Sequence, residues 1–277
     1  MPKLHLLKAK MNMTNNNMGT LYGVSLGPGD PGLITRHAWE VLQQDNIFWT
    51  YPIRNKKSDS YALDIALRGG LTLPDDNAAL IFPMTHDKSK LAKYWLNAAQ
   101  TVIEVLQTGQ DVAFLVEGDA STYSTFGHLA RTVNALNENI NVQTIAGVTS
   151  FNAASARLQA PLADVDDTLA IIPAGYGIHI IDELLQQFDT LVLLKVKPLL
   201  DDIITLLGSH NLLEHSRFIE KAGSPEERIF DDVASLKGQK VNYLSLMIVK
   251  NPERQRGEII RGCRKKLTDI ELAEKQA

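Results

Sequence analysis

Strand-like runs rich in apolar residues lie along the first half of this chain at 21–26, 47–51, 79–82, 112–116 and 142–145. Runs of that length bounded by turn residues predict buried strands, which in a parallel sheet carry apolar side chains on both faces. Between them the spacing lengthens to a helical period. Asp30 is the expected N-cap and Pro31 the first helical position, with Ile34, Ala38, Val41 and Leu42 as the apolar stripe. Residues 89–107 predict a long helix closed by Gly109, and 124–136 another. Strands alternating with helices predict right-handed crossovers and a mainly parallel five-stranded sheet.

The rhythm changes after Gln159-Ala160-Pro161. Strands are expected at 168–172, 191–196, 217–220 and 243–249, and helices at 178–188 and 199–207. Gly223-Ser224-Pro225 and Lys237-Gly238-Gln239 suggest hairpin-like links, hence a mixed second sheet. The expected organisation is α/β: a leader over 1–18, one α/β domain over 19–160, and a second over 161–277 ending in a charged, solvated tail from Asn251. A ligand is expected in the cleft between the two domains.

Two Asp-containing glycine turns stand about ninety residues apart, each where a strand hands over to a helix: Gly27-Pro28-Gly29-Asp30-Pro31-Gly32 and Glu117-Gly118-Asp119-Ala120-Ser121. Ligands of open parallel sheets sit beyond the carboxyl ends of the strands, so the pair outlines a small-molecule site. Gly27, Gly29 and Gly32 formally spell the dinucleotide fingerprint. Pyrophosphate, however, needs free N–H groups at a positive helix end. Pro28 and Pro31 each lack one, Asp30 adds a negative charge, and Thr50-Tyr51-Pro52-Ile53 offers no acidic ribose ligand. The composition suits a ligand without phosphate, and a cationic one best. Helix capping by Asp30, Asp119 or Ser121 would explain the same residues without any ligand.

Composition narrows the partners. A formal net charge of -4 gives no general attraction to nucleic acid, and no apolar stretch nears the roughly 20 residues of a membrane span. One cysteine, Cys263, permits neither an internal disulfide nor a cysteine-cluster metal site. The seven histidines show no ligand spacing, and no protein-held metal is expected. A cytoplasmic protein without nucleic-acid or membrane partners is the expectation.

The motifs resemble those of the S-adenosylmethionine-dependent tetrapyrrole methylases. The resemblance runs through Leu21-Tyr22-Gly23-Val24-Ser25-Leu26-Gly27-Pro28-Gly29-Asp30-Pro31, Val112-Ala113-Phe114-Leu115-Val116-Glu117-Gly118-Asp119 and Ala146-Gly147-Val148-Thr149-Ser150. Phe82-Pro83-Met84-Thr85, the segment from Ser150 to Leu158 and Leu194-Lys195-Val196-Lys197 are similar to the branch that methylates C20 of precorrin-2 or cobalt-factor II in cobalamin biosynthesis. One departure is visible: the family usually reads Gly-Asp-Pro where this chain has Gly118-Asp119-Ala120.

The resemblance implies S-adenosylmethionine as cofactor, a tetrapyrrole substrate and a homodimer. It implies cofactor contacts from Pro28, Glu117, Gly118, Asp119, Thr122, Thr149, Ser150, Val196, Ala222 and Ser245. A substrate rich in carboxylates calls for cations, for which Arg54, Arg157, Lys195 and Lys197 are candidates. His86 and Asp87 are the nearest candidates for a base, although a solvated loop explains them as well, and no residue is assigned as catalytic. Two other readings stay open at this point: a sibling methylase acting at another ring position, and an NAD(P)-linked oxidoreductase or nucleotide sensor.

Overall fold

The computed structural model describes residues 18–257. Five strands, β1 (Leu21–Ser25), β2 (Ile47–Ile53), β3 (Asn77–Ile81), β4 (Asp111–Val116) and β5 (Val142–Ile145), form one sheet in the order β3-β2-β4-β1-β5. Every pairing in it is parallel. Its strands bury apolar residues on both faces, in two clusters. Phe114, Val112 and Leu21 pack on one side with Leu106, Phe126 and Leu129; Val24, Leu115 and Trp49 pack on the other with Ala38, Val41 and Ile65. Two covered faces are why these segments read as continuous apolar runs.

The covering helices are α1 (Arg36–Leu42), α2 (Tyr61–Arg68), α3 (Lys88–Leu106), α4 (Phe126–Leu136) and α5 (Ser150–Arg157). The expected helix start at Asp30 is corrected here. Asp30 caps only a three-residue 3-10 turn, Pro31–Leu33, and α1 begins after Thr35, whose side chain accepts from the Ala38 N–H. Helix α2 follows the Ser60 cap and lies in a stretch for which no element was expected.

The second sheet holds β6 (Leu169–Pro173), β7 (Thr190–Leu194), β8 (Ser216–Glu220), β9 (Arg228–Phe230) and β10 (Ser245–Lys250), in the order β6-β7-β10-β8-β9. It is mixed as expected: β6 and β7 run parallel, β8 and β9 antiparallel. Strand β9, only three residues long and largely exposed, was not expected. Helices α6 (Ile178–Gln187) and α7 (Leu200–Ser209) match their expected segments.

Two compact units emerge, and the first long segment ends at Ala160. The first unit also takes in Phe218–Phe230 and Lys240–Leu246, so the loops around β8 and β9 belong with the five-stranded sheet. Met18, the last residue of the expected leader, packs against the Phe114 core, while residues 1–17 lie outside those described. The described tail is largely exposed, as expected, but it is also anchored: Asn251 donates to the Leu185 carbonyl, and Arg254 and Arg256 both reach the buried Asp189. No described helix is long and apolar enough to cross a membrane.

Candidate functional site

A parallel sheet delivers all its exit loops to one edge. Here that edge carries, from β3 to β5, the loops beginning at Phe82, Arg54, Glu117, Leu26 and Ala146. Strands β4, β1 and β5 are consecutive neighbours, so the two glycine turns and the Gly147 loop come together at the edge.

Asp119 joins them. It is buried, and its Oδ1 accepts from the Ser121 N–H at 2.9 Å, from the Thr122 hydroxyl at 3.1 Å and from the Ser121 hydroxyl. Its Oδ2 accepts from the Gly147 N–H at 2.8 Å, bracing the β4 turn against the β5 turn. Burial would push this carboxyl up, but the donors from Ser121, Gly147 and Thr122 outweigh it and hold it below the ordinary carboxylate range. All four of these donors are neutral. Asp119 therefore stays ionised without a counter-ion among them.

Ser25 supports the same joint from β1. Its hydroxyl donates to the Ile145 carbonyl at 2.5 Å and accepts from the Ala120 N–H at 2.8 Å. The N–H that alanine provides, and proline would not, is thus satisfied in the interior. Sequence reasoning passed over Ser25, though a lone hydroxyl inside an apolar run was a usable signal.

The two glycine turns bond directly to each other. The Gly27 N–H donates to the Gly118 carbonyl at 3.2 Å and the Gly118 N–H to the Gly27 carbonyl at 2.7 Å. The Gly32 N–H is taken by Asp30 Oδ1 and the Leu33 N–H by the Asp30 carbonyl. Because only a 3-10 turn follows, no α-helix dipole points at this loop. With the Gly27 and Gly32 amides committed and none present at Pro28 and Pro31, the first turn keeps few donors for a diphosphate.

The loop after β8 packs on the first turn. The half-buried Tyr61, from α2, donates its hydroxyl to the Pro28 carbonyl at 3.2 Å, and Arg68 donates to the Gly29 carbonyl at 2.8 Å. Burial raises the Tyr61 phenol above its ordinary value; a hydrogen bond with Ser224 opposes this and the charge of Glu117 adds to it. Tyr61 therefore belongs to the site although no motif announced it. Beside this loop, the Lys221 N–H donates to the Leu244 carbonyl, and the next residue, Ser245, is buried with its hydroxyl unpartnered.

These features fit a compact cationic ligand that also carries polar groups. Asp119 supplies negative charge. Gly118, at φ +76°, has open space where a side chain would stand, so its backbone can be approached. The buried Ser245 Oγ lacks the partner that such groups normally find, and a ligand polar atom would supply it.

The other expected site residues are located as follows. Pro28 and Ala222 are buried in their loops and Glu117 is exposed at the end of β4. Thr149 caps α5 by accepting from the Asn152 N–H, and Ser150 is the first residue of that helix. Arg54 is exposed on the β2 loop at the same sheet edge as the turns. His86 is exposed, while Asp87 caps α3 and is held low by the Ser89 hydroxyl and the Lys90 and Ser89 N–H groups, which makes it a poor base. Arg157 is engaged by Glu227, with Nε to Oε1 at 2.9 Å and Nη2 to Oε1 at 2.6 Å. Val196, buried, and Lys195 and Lys197 lie past β7 in the second unit.

Comparison with known proteins agrees with this geometry. The sequence profile of the tetrapyrrole (corrin/porphyrin) methylases matches residues 20–237. A probable cobalt-precorrin-2 C(20)-methyltransferase of Methanocaldococcus jannaschii is 31% identical over 250 residues, 87% of this chain and 100% of the relative. The cobalt-precorrin-2 C(20)-methyltransferase of Salmonella typhimurium is 32% identical, covering 83% of this chain and 96% of its own. The fold is shared with a uroporphyrin-III C-methyltransferase from Thermus thermophilus solved with S-adenosylhomocysteine, at TM-score 0.56 and 21% identity over 84% of this chain and 97% of that one.

Proposed function

Since the chain belongs to the tetrapyrrole methylase family, we propose that it transfers a methyl group from S-adenosylmethionine to C20 of precorrin-2, preferentially in its cobalt-bound form. The preference rests on the names of the two relatives at 31% and 32% identity. The observation that carries the cofactor side is Asp119: a buried carboxylate held ionised by neutral donors at the joint of three loops. S-adenosylmethionine, when bound, supplies a methyl group already activated on a sulfonium.

The protein then has no strong nucleophile to generate; it has to orient. The braces from Asp119 to Gly147 and from Ser25 to Ala120 and Ile145 fix the three loops against one another. Rigid positioning of reactants at near-attack distance is where such a site gains most of its rate. The charge of Asp119 favours a cationic donor over a neutral one. Glu117, Gly118, Thr122, Thr149, Ser150, Pro28, Ala222, Ser245 and Val196 are our candidates for its contacts. Arg54, Lys195 and Lys197 are candidates for the acceptor's carboxylates. No described residue is assigned as base, since Asp87 is spent on its helix cap.

The dinucleotide alternative is weakened by the few donors of the first turn: the Gly27 and Gly32 amides are taken, and Pro28 and Pro31 have none. The proposal extends to a homodimer acting in the cytoplasm, to be checked by sedimentation equilibrium and cell fractionation. The central experiment supplies methyl-labelled donor with either metal-free or cobalt-loaded precorrin-2 and locates the label. A single methyl at C20, formed faster on the cobalt complex, is expected. Label at another ring position would refute the regiochemistry, and tight NADPH binding without S-adenosylhomocysteine binding would refute the cofactor.

A further inference from the structure

Arg157 was a candidate for the substrate's carboxylates, but the structure gives it other work. Both nitrogens of its fork that bond do so to Glu227: Nε to Oε1 and Oε2 at 2.9 and 3.0 Å, and Nη2 to Oε1 at 2.6 Å. Glu227 in turn accepts the Gly223 N–H through Oε2 at 2.6 Å. Its side chain is 10% exposed, against 53% for Arg157. The pair thus links the end of α5 to the turn after β8.

That turn needs holding. Lys221 and Gly223 both sit at left-handed angles, φ +48° and +78°, and the first is unfavourable for a side-chain-bearing residue. The turn also presses backbone to backbone on the first glycine turn. A side chain on Gly29 would come within 2.7 Å of the Ala222 carbonyl, and one on Gly223 within 2.8 Å of the Asp30 nitrogen. Two turns in such close approach leave little room for either to shift. Tyr61 ties them on one side, through the Pro28 carbonyl and a hydrogen bond with Ser224, and the Arg157–Glu227 pair ties the outer turn on the other.

We propose that Arg157 and Glu227 are positioning residues for the cofactor: the ion pair fixes the turn that carries Ala222 against the first glycine turn. This rests on the functional reading above, because Ala222 matters only if that turn borders the cofactor. An ion pair with one partner half exposed contributes little to global stability. Its effect is to preorganise the loop, so binding of the cofactor does not have to order it.

The test uses the full-length protein, S-adenosylhomocysteine calorimetry, and the KM for the tetrapyrrole. Arg157→Ala and Glu227→Ala should each weaken S-adenosylhomocysteine binding on the order of tenfold. The double variant should lose no more than the worse single one, as expected of a shared interaction. Arg157→Lys, which keeps the charge and loses the fork, should fall between. The tetrapyrrole KM at saturating donor should stay put, and Tm should move by no more than about 2–4 °C. A raised tetrapyrrole KM with unchanged S-adenosylhomocysteine affinity would return Arg157 to the substrate and overturn the proposal. So would unchanged affinity in the mild variants Arg157→Lys and Glu227→Gln together. Wild-type protein that binds no S-adenosylhomocysteine at all would instead remove the functional reading, and this inference with it.

Discussion

Two buried aspartates, one in each unit, are built alike and balanced differently. Asp119 is 7% exposed and Asp189 is 4% exposed. Burial disfavours the charge of each, and each is nonetheless held below the ordinary carboxylate range. At Asp189 the opposing groups are the Thr168 N–H and hydroxyl, both at 2.8 Å, with the guanidinium groups of Arg256 and Arg254. At Asp119 they are hydroxyls and amides alone. The first arrangement cancels its charge within the fold; the second leaves a net negative charge at a sheet edge. Local hydrogen bonding keeps both ionised, but only the uncompensated one can act on a cationic ligand. The contrast separates a carboxylate whose charge is cancelled within the fold from one left free to attract a cation, without reference to motifs.

The largest expected effect is therefore on stability, at the compensated site. Asp189→Ala should leave Arg254 and Arg256 without their shared acceptor and take from the Thr168 N–H and hydroxyl the partner they share with them. Discounted for the solvent reaching this network, the loss is about 2–3 kcal/mol by denaturant titration. S-adenosylhomocysteine affinity should not change. The pH dependence follows from the sign of the shift. A depressed folded-state value means that the stabilisation is complete above the unfolded carboxylate value, about 4, and is lost as pH falls toward the folded one. Below pH about 4 the variant should consequently lose stability with a shallower slope than the wild type. An equal slope would show that the Asp189 network does not govern acid unfolding.

The next effect is on ligand choice. Asp119→Asn removes the charge and turns a donor toward the Gly147 N–H, so some stability goes with it. The informative quantity is the ratio of two affinities. S-adenosylmethionine carries a sulfonium and S-adenosylhomocysteine a neutral sulfide, whereas their remaining groups are the same. If the net charge of Asp119 acts on the ligand, the substitution should weaken S-adenosylmethionine on the order of tenfold more than its sulfide, the scale of one screened charge pair. Equal weakening of both would reduce Asp119 to a brace, and the comparison with Asp189 would lose its functional half.

How far this was readable from the chain depends on the range of the interactions. The strands of the first sheet were legible because burial on both faces leaves unbroken apolar runs such as 112–116. The long helix α3 and the later α6 and α7 showed their period. Strand β9 was not legible, since three exposed residues carry no pattern. The start of α1 was misread because Asp30 and Thr35 are both good caps, and the Pro31 turn interposes itself between them. At the site, the glycine turns announced themselves, but their partners did not. Nothing near Arg157 in sequence points to Glu227, seventy positions away, and nothing near Asp119 points to Gly147. The anchored tail escaped for the same reason: Arg254 and Arg256 look solvated until Asp189 is placed beside them.

The smallest expected effect concerns how the uncompensated site is kept in shape. Ser25 serves Ala120 and Ile145 at once, and both contacts are buried. Ser25→Ala should leave the Ala120 N–H unpaired, at a cost of about 1–2 kcal/mol. Proline at 120, which the family resemblance would have led one to expect, has no N–H to satisfy. Ala120→Pro alone should destabilise by removing a made hydrogen bond, yet in the Ser25→Ala background it should recover part of the loss by removing the orphan donor. The two changes should therefore be non-additive in the compensating direction, by about 0.5–1 kcal/mol in a double-mutant cycle. Strict additivity would mean that water reaches the Ala120 N–H once the hydroxyl is gone. In that case alanine and proline would be equivalent here, and Ser25 would matter only through its bond to β5.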